Sequence, residues 1–169
     1  MNIKLLRTIY FAINGIYCIQ NIFYFINLPN VIAIYFGISG NPDNWKIKET
    51  MLLVNLSVQI LLNFCFVLFP IMINKIPKIF INIPNKDYWL SDEKIDETKL
   101  KLKKLFFEYG VYIFIFLIFV FHLVYIANVN KTRLNLKYFF TNFIIFNLLN
   151  IYWIIKTYKV FKINTAKNN

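Results

Sequence analysis

The chain has 169 residues, of which 59% are hydrophobic and 16% charged, and its mean hydropathy is +0.54. A soluble domain of this size is about half apolar and about a quarter charged, so the composition excludes an ordinary soluble protein and points to the membrane class. The net charge of +11 does not call for nucleic acid as a partner, because lysines beside apolar spans meet anionic lipid headgroups and fix orientation.

A short basic segment, residues 1–7, opens the chain. The apolar stretch from about Thr8 to Ile26 is long enough to span, since a hydrocarbon core of roughly 30 Å takes about 20 helical residues. No small-x-small cleavage site follows it, which argues against a signal peptide. Asn14, Gly15, Gln20 and Asn21 interrupt this first span. Gly15 is expected to admit a neighbouring helix, and the amides are expected to face protein. Cys18 lies in this run and Cys65 in the next one, both read as small buried hydrophobes. With one histidine in the chain, no Cys/His zinc site has recognisable spacing, and neither a metal nor a cofactor is implied.

Residues 27–50 form the first loop. Leu28-Pro29-Asn30 breaks the helix, because the residue before a proline is pushed out of the helical region. Val31 to Phe36 is β-branched and aromatic and suits a short strand. Gly37, Gly40 and Pro42 then mark a turn, with Asn41 and Asp43 as turn formers. Trp45 suits a membrane–water boundary. A short ordered loop is expected here, with room for a small β-hairpin.

The second span covers 51–74. Asn55, Gln59 and Asn63 recur at i, i+4 and i+8, on one stripe. Unpaired amides are expensive in hydrocarbon, so the stripe is either an interhelical hydrogen-bond seam or the lining of a ligand or ion path. Pro70 falls near the end of the span, where a kink is tolerable.

The central loop, 75–104, contains Ile83-Pro84-Asn85-Lys86-Asp87-Tyr88-Trp89-Leu90, which is polar, turn-forming and aromatic at once. Pro77 and Pro84 keep its first half extended. Tyr88 and Trp89 suit the headgroup level, and Lys86 and Asp87 either bind a partner or cap the turn. A helix is expected from Ser91 as N-cap, with Asp92 and Glu93 at the positive end of its dipole. Ile95, Leu102, Leu105 and Phe106 return at helical spacing and lysines 99, 101, 103 and 104 crowd the far end, which makes a basic amphipathic helix running into the next span.

The third span, 105–128, carries Glu108 near its start and His122 well inside. Their fourteen-residue spacing is close to four turns, so they share roughly one face. A proton relay is one reading. The other pairs Glu108 with a lysine and gives His122 a hydrogen bond within the bundle. A tight hairpin, 129–137, leads to the fourth span, 138–155, with Asn142, Asn147 and Asn150 as its polar positions. Tyr152, Trp153 and Tyr158 mark the final boundary before a basic tail.

The expected architecture is all-α: a four-helix transmembrane bundle of two hairpins, with the first loop on one side and the amphipathic helix on the other. Of nineteen Lys and Arg, the first segment, the central loop and the tail hold all but Lys46, Lys48, Lys131, Arg133 and Lys137. The excess marks the cytoplasmic side, which puts both termini inside. Membrane lipids, and a protein at the cytoplasmic face, are the expected partners. No phosphate-binding glycine loop, nucleophile elbow or metalloprotease helix is present, so a non-catalytic protein is expected, with a small transporter or channel subunit as the alternative.

Two segments resemble a bacterial family. Leu28-Pro29-Asn30 through Tyr35-Phe36-Gly37, Gly40-Asn41-Pro42-Asp43 and Trp45-Lys46-Ile47-Lys48 resembles the extracytoplasmic motif of the uncharacterised domain family numbered 1648. Ile81-Asn82-Ile83-Pro84-Asn85-Lys86-Asp87-Tyr88-Trp89-Leu90 resembles a second motif that accompanies it in some members. Other proteins carrying this domain resemble the SdpI-type immunity and signalling proteins. Tyr35 stands where the family often has histidine, and Asp92-Glu93-Lys94 where Pro-Glu-Arg-like residues are common. The resemblance implies a bacterial plasma-membrane topology and an interaction, sensing or immunity role, with no established reaction.

Overall fold

The computed structural model describes residues 2–163. Four helices in it are long and apolar enough to cross a membrane. The first, α1, runs Ile3–Asn27, and Asn2 caps it by accepting from the Lys4 amide. A two-stranded antiparallel hairpin follows, β1 Val31–Phe36 and β2 Pro42–Ile47. β1 falls where it is expected. β2 covers Pro42, Asp43 and Trp45, which the sequence reading gave to a turn and boundary loop. Its register shifts between Ala33 and Tyr35 and again before Phe36.

α2, Lys48–Met72, contains one wide π turn, Phe64–Leu68. Pro70 offers no N–H to the Phe66 carbonyl and its ring crowds that carbonyl, and the wide turn takes up the misfit. The helix stops short of Asn74, the expected limit of the span. After a 3₁₀ turn, Lys78–Phe80, comes a one-turn helix α3, Lys86–Trp89. α4, Ile95–Val129, is unbroken for 35 residues, about 52 Å at 1.5 Å per residue. α5, Leu136–Val160, is capped by Asn135, which accepts from the Tyr138 amide.

Four expectations need correction. Ser91 does not cap a helix: its Oγ donates to the Tyr88 carbonyl, and α4 begins at Ile95 behind Lys94. Gly15 admits no helix, because nothing lies within 4 Å of the position its Cβ would take. The close approach is at Gly110, against Tyr10 and Phe66. Cys65 is exposed on α2 rather than buried. Finally, Cys18 on α1 is half-buried rather than fully buried. α1 and α4 form the packed centre, α2 lies along α1, and α5 packs along α4 with none of its own residues buried.

The core is three clusters stacked along this frame. The middle one joins Leu6, Tyr10 and Tyr17 of α1 to Phe66 of α2 and to Phe107, Val111 and Phe114 of α4. At the hairpin end Tyr24, Leu28, Ile32 and Met51 come together. At the end carrying residues 75–94, Ile81, Ile83, Trp89 and Leu90 close over Leu105 and Phe161.

Candidate functional site

The polar positions of α1 follow a three-four spacing: Tyr10, Asn14, Tyr17, Asn21 and Tyr24, all buried. The amides turn toward α2 and most of the rings toward α4. Gln59 Nε2 donates to Asn14 Oδ1 at 2.6 Å, and Asn14 Nδ2 donates to Asn63 Oδ1 at 2.6 Å. Asn63 Oδ1 also accepts from the Tyr10 hydroxyl at 3.0 Å, and Asn55 Nδ2 donates to Asn21 Oδ1 at 2.7 Å. The structure therefore brings Asn55, Gln59 and Asn63 together as one ladder between two helices. Beside Asn21 and Asn55 the remaining gap is about 10 Å³, room for about one water. The α1 half of the ladder was readable in the alternation of Tyr and Asn, a pattern the sequence reading did not extract.

Glu108 and His122 are engaged with different helices. The Lys156 ammonium of α5 reaches both Glu108 oxygens, at 2.5 and 2.6 Å, and the Tyr112 hydroxyl donates to Oε1 at 2.7 Å. His122 Nδ1 meets the Tyr24 hydroxyl of α1 at 2.7 Å. Gln20 Nε2 donates to that same hydroxyl at 2.6 Å, and the His122 tautomer sets which of Tyr24 and His122 donates to the other. His122 also lines an open groove of about 440 Å³ between α4 and α5, to which α5 contributes Asn142. About 21 Å of helix separates Glu108 from His122. Among the described residues no group of three His, Cys, Asp or Glu side chains is placed to hold a metal.

Residues 84–89 form a clamp. Asn85 takes a left-handed conformation, φ 54°, which asparagine tolerates better than most residues. Its Nδ2 donates to the Phe161 carbonyl at 2.7 Å, and the Trp89 indole N–H donates to the same oxygen at 2.8 Å. Trp89 is 7% exposed, not laid out at a surface as the sequence reading had it. The Lys101 ammonium sits 3.5 Å from its ring centroid, and buried Thr98 donates to its carbonyl at 2.7 Å. Lys86, Asp87 and Tyr88 are exposed beside it, and Pro84 is partly buried.

Ion pairs brace this end. The Lys78 hydrogen bond holds the Asp92 carboxyl below its ordinary value, and a hydrogen bond from Lys101 does the same for Glu97. Both contributions are present above the ordinary carboxylate range and fade as pH falls through the lowered values. The charges are exposed, so each pair stabilises little.

At the opposite end the hairpin is held by Asn128, a residue not singled out from the sequence. Its Oδ1 accepts from the Ala33 amide at 2.6 Å and its Nδ2 donates to the Ala33 carbonyl at 3.0 Å. Gly40, with φ 78°, offers its carbonyl to the Leu134 amide at 2.8 Å. Leu28, Ile32 and Ala33 are buried, whereas Pro29, Tyr35, Asp43 and Trp45 are exposed and Phe36 and Pro42 half-buried. Most of the first motif's side chains thus face outward while its backbone is fixed.

No protein-family model matches the chain, no curated protein matches it, and no solved structure matches its fold.

Proposed function

We propose that this chain is a multi-pass protein of the bacterial plasma membrane, with both termini cytoplasmic, that acts by non-catalytic recognition. The reading agrees with the interaction, sensing and immunity roles of the proteins its two motifs resemble. The double hydrogen bond from Asn85 and Trp89 to the Phe161 carbonyl carries it. That clamp ties the turn to the end of α5 and fixes the backbone under three exposed side chains, Lys86, Asp87 and Tyr88. A rigid turn that presents one charge of each sign and an aromatic ring is suited to a protein partner, because little order is lost on binding. The transporter alternative asks the amide stripe and His122 to line a path, whereas Asn55, Gln59 and Asn63 each hold a side chain of α1.

Photo-crosslinking in cells from a reactive residue at position 88 tests the proposal. A discrete protein adduct that disappears on Asp87→Ala is the expected result, with expression and thermal stability unchanged. Trp89→Ala separates anchor from contact: burial of a large aromatic core residue is worth about 3–5 kcal/mol, so this variant loses stability first. Adducts to lipid alone, or solute flux into proteoliposomes above that of protein-free vesicles, would overturn the recognition reading.

A further inference from the structure

At the end carrying the clamp, a second groove opens between α1, α2 and α4. Its volume is about 500 Å³. Lys4, Arg7 and Phe11 of α1 succeed one another at i, i+3 and i+7, on one face. Val67, Pro70 and Ile71 of α2 stand opposite, and Lys103 and Phe107 of α4 contribute the third wall. Along α1 and α4 the cations stand a turn or more nearer the basic end than Phe11 and Phe107, and Ile3, Pro70 and Ile71 add apolar wall at that end.

The charges lining this groove are unbalanced, as are those of Lys75, Lys86, Lys99, Lys104, Lys159 and Lys162 among the described residues, whereas four lysines of this end are paired. Lys78, Lys94, Lys101 and Lys156 each have a carboxylate within 4 Å. Lys4, Arg7 and Lys103 have none among the described residues. Lys103 is steadied instead by a neutral acceptor, donating to Asn74 Oδ1 at 3.2 Å, while Lys99 donates to the Asn74 carbonyl at 3.3 Å. Lys4, Arg7 and Lys103 thus line one groove together with apolar side chains, with no carboxylate partner among the described residues.

We propose that this groove is a binding site for an anionic phospholipid. Lys4, Arg7 and Lys103 take the phosphodiester, Arg7 offering the fork that suits two phosphate oxygens. One acyl chain lies along Phe11, Val67, Ile71 and Phe107. A free phosphate would use the cations and leave the apolar side chains uncovered, and a zwitterionic lipid would bring its own cation to a groove that already holds three. The proposal rests on membrane embedding and goes beyond it, because it names one groove rather than the whole basic surface.

The test uses the full chain purified in a neutral detergent, with binding of phosphatidylglycerol read by native mass spectrometry. The wild type is expected to retain phosphatidylglycerol over phosphatidylcholine. Retention should fall at least tenfold in the Lys4→Gln/Arg7→Gln/Lys103→Gln variant and stay unchanged in a Lys46→Gln/Arg133→Gln/Lys137→Gln control at the other end. Should the triple variant fail to fold, the single exposed change Arg7→Glu must still lower retention. Equal loss in the control, undiminished binding in Arg7→Glu, or displacement of the lipid by glycerol phosphate at equal concentration would overturn the site. Recovery of the protein in the membrane fraction tests embedding separately, so failure of the site and failure of the membrane reading are told apart.

Discussion

A Cβ added at Gly110 would lie 2.6 Å from Tyr10 Cε2 and 3.0 Å from Phe66 Cγ. Tyr10 is fully buried, and its hydroxyl is tied to Asn63, so its ring has nowhere to retreat. Overpacking of this kind costs about 1–3 kcal/mol. Gly110→Ala should therefore lower the midpoint of thermal unfolding in detergent, and Gly110→Leu should prevent folding. Gly15→Ala should act in the other direction, because its Cβ meets open space and alanine exceeds glycine in helix propensity by up to about 1 kcal/mol. Equal effects at the two glycines would mean that the α1–α4 approach is wrong. The two residues look alike in the sequence, each a lone glycine within an apolar helical run. What separates them is the helix face, and face is set by the partner helix. The same logic hid Trp89. Its neighbours Lys86, Asp87 and Tyr88 read as surface, and only the carbonyl of Phe161, seventy-two residues on, explains why the indole turns inward.

The α1–α2 pair is held by amides rather than by close-packed small residues. Interhelical hydrogen bonds in membranes average about 0.6 kcal/mol each, so Asn55→Leu/Gln59→Leu/Asn63→Leu should lower unfolding stability only modestly. Most of that loss comes from Asn14, Asn21 and the Tyr10 hydroxyl, which keep their polar groups without partners. Adding Asn14→Leu and Asn21→Leu should recover most of the stability, and a further drop would show that the ladder specifies the pairing as well as strengthening it. Asn55 should matter least, since its Oδ1 has no hydrogen-bond partner among the described residues. Helices were legible in the sequence because length and hydropathy alone decide them, and the stripe at 55, 59 and 63 was legible because helical periodicity puts it on one face. The small hairpin was expected too, but the residues of its second strand were not. Pro42, Asp43 and Asn44 have low strand propensity, and pairing with β1, itself fixed by Asn128 on α4, overrides it. The one-turn offset at the start of α4 lies at Ser91, whose hydroxyl donates to the Tyr88 carbonyl while its own backbone carbonyl accepts from the Lys94 and Ile95 amides.

At the scale of the whole molecule, the two ends of the helices differ in kind. One end carries the hairpin, fastened by Asn128 and by the Gly40–Leu134 hydrogen bond. The other gathers the start of α1, residues 73–94 and the end of α5, and with them most of the lysines. Lys167, counted with the basic tail, lies outside the described residues. This segregation was readable from the sequence as a bias among loops. How the helices share the interior was not, because α5 is apolar enough to cross a membrane, like the other three, yet buries none of its residues. Charge bias sets orientation by retaining basic segments on the cytoplasmic side, and the proposed topology therefore has the hairpin outside. Single cysteines introduced after replacement of Cys18 and Cys65 test this in intact cells. Position 40 is unsuitable, because the Gly40 backbone is left-handed and a Cβ there would meet the Leu134 carbonyl at 2.7 Å. Ile38, 99% exposed at the hairpin turn, and Arg133, exposed in the short loop, are the outer reporters. Lys86 and Lys162, both exposed, are the inner ones. A membrane-impermeant maleimide should label Ile38→Cys and Arg133→Cys in whole cells, and should label Lys86→Cys and Lys162→Cys only after lysis. Labelling of both inner positions from outside, with protection of both outer ones, would invert the protein. Labelling of Lys86→Cys but not Lys162→Cys would break the pairing of the clamp with the end of α5, and the recognition face proposed for Lys86, Asp87 and Tyr88 would fall with it.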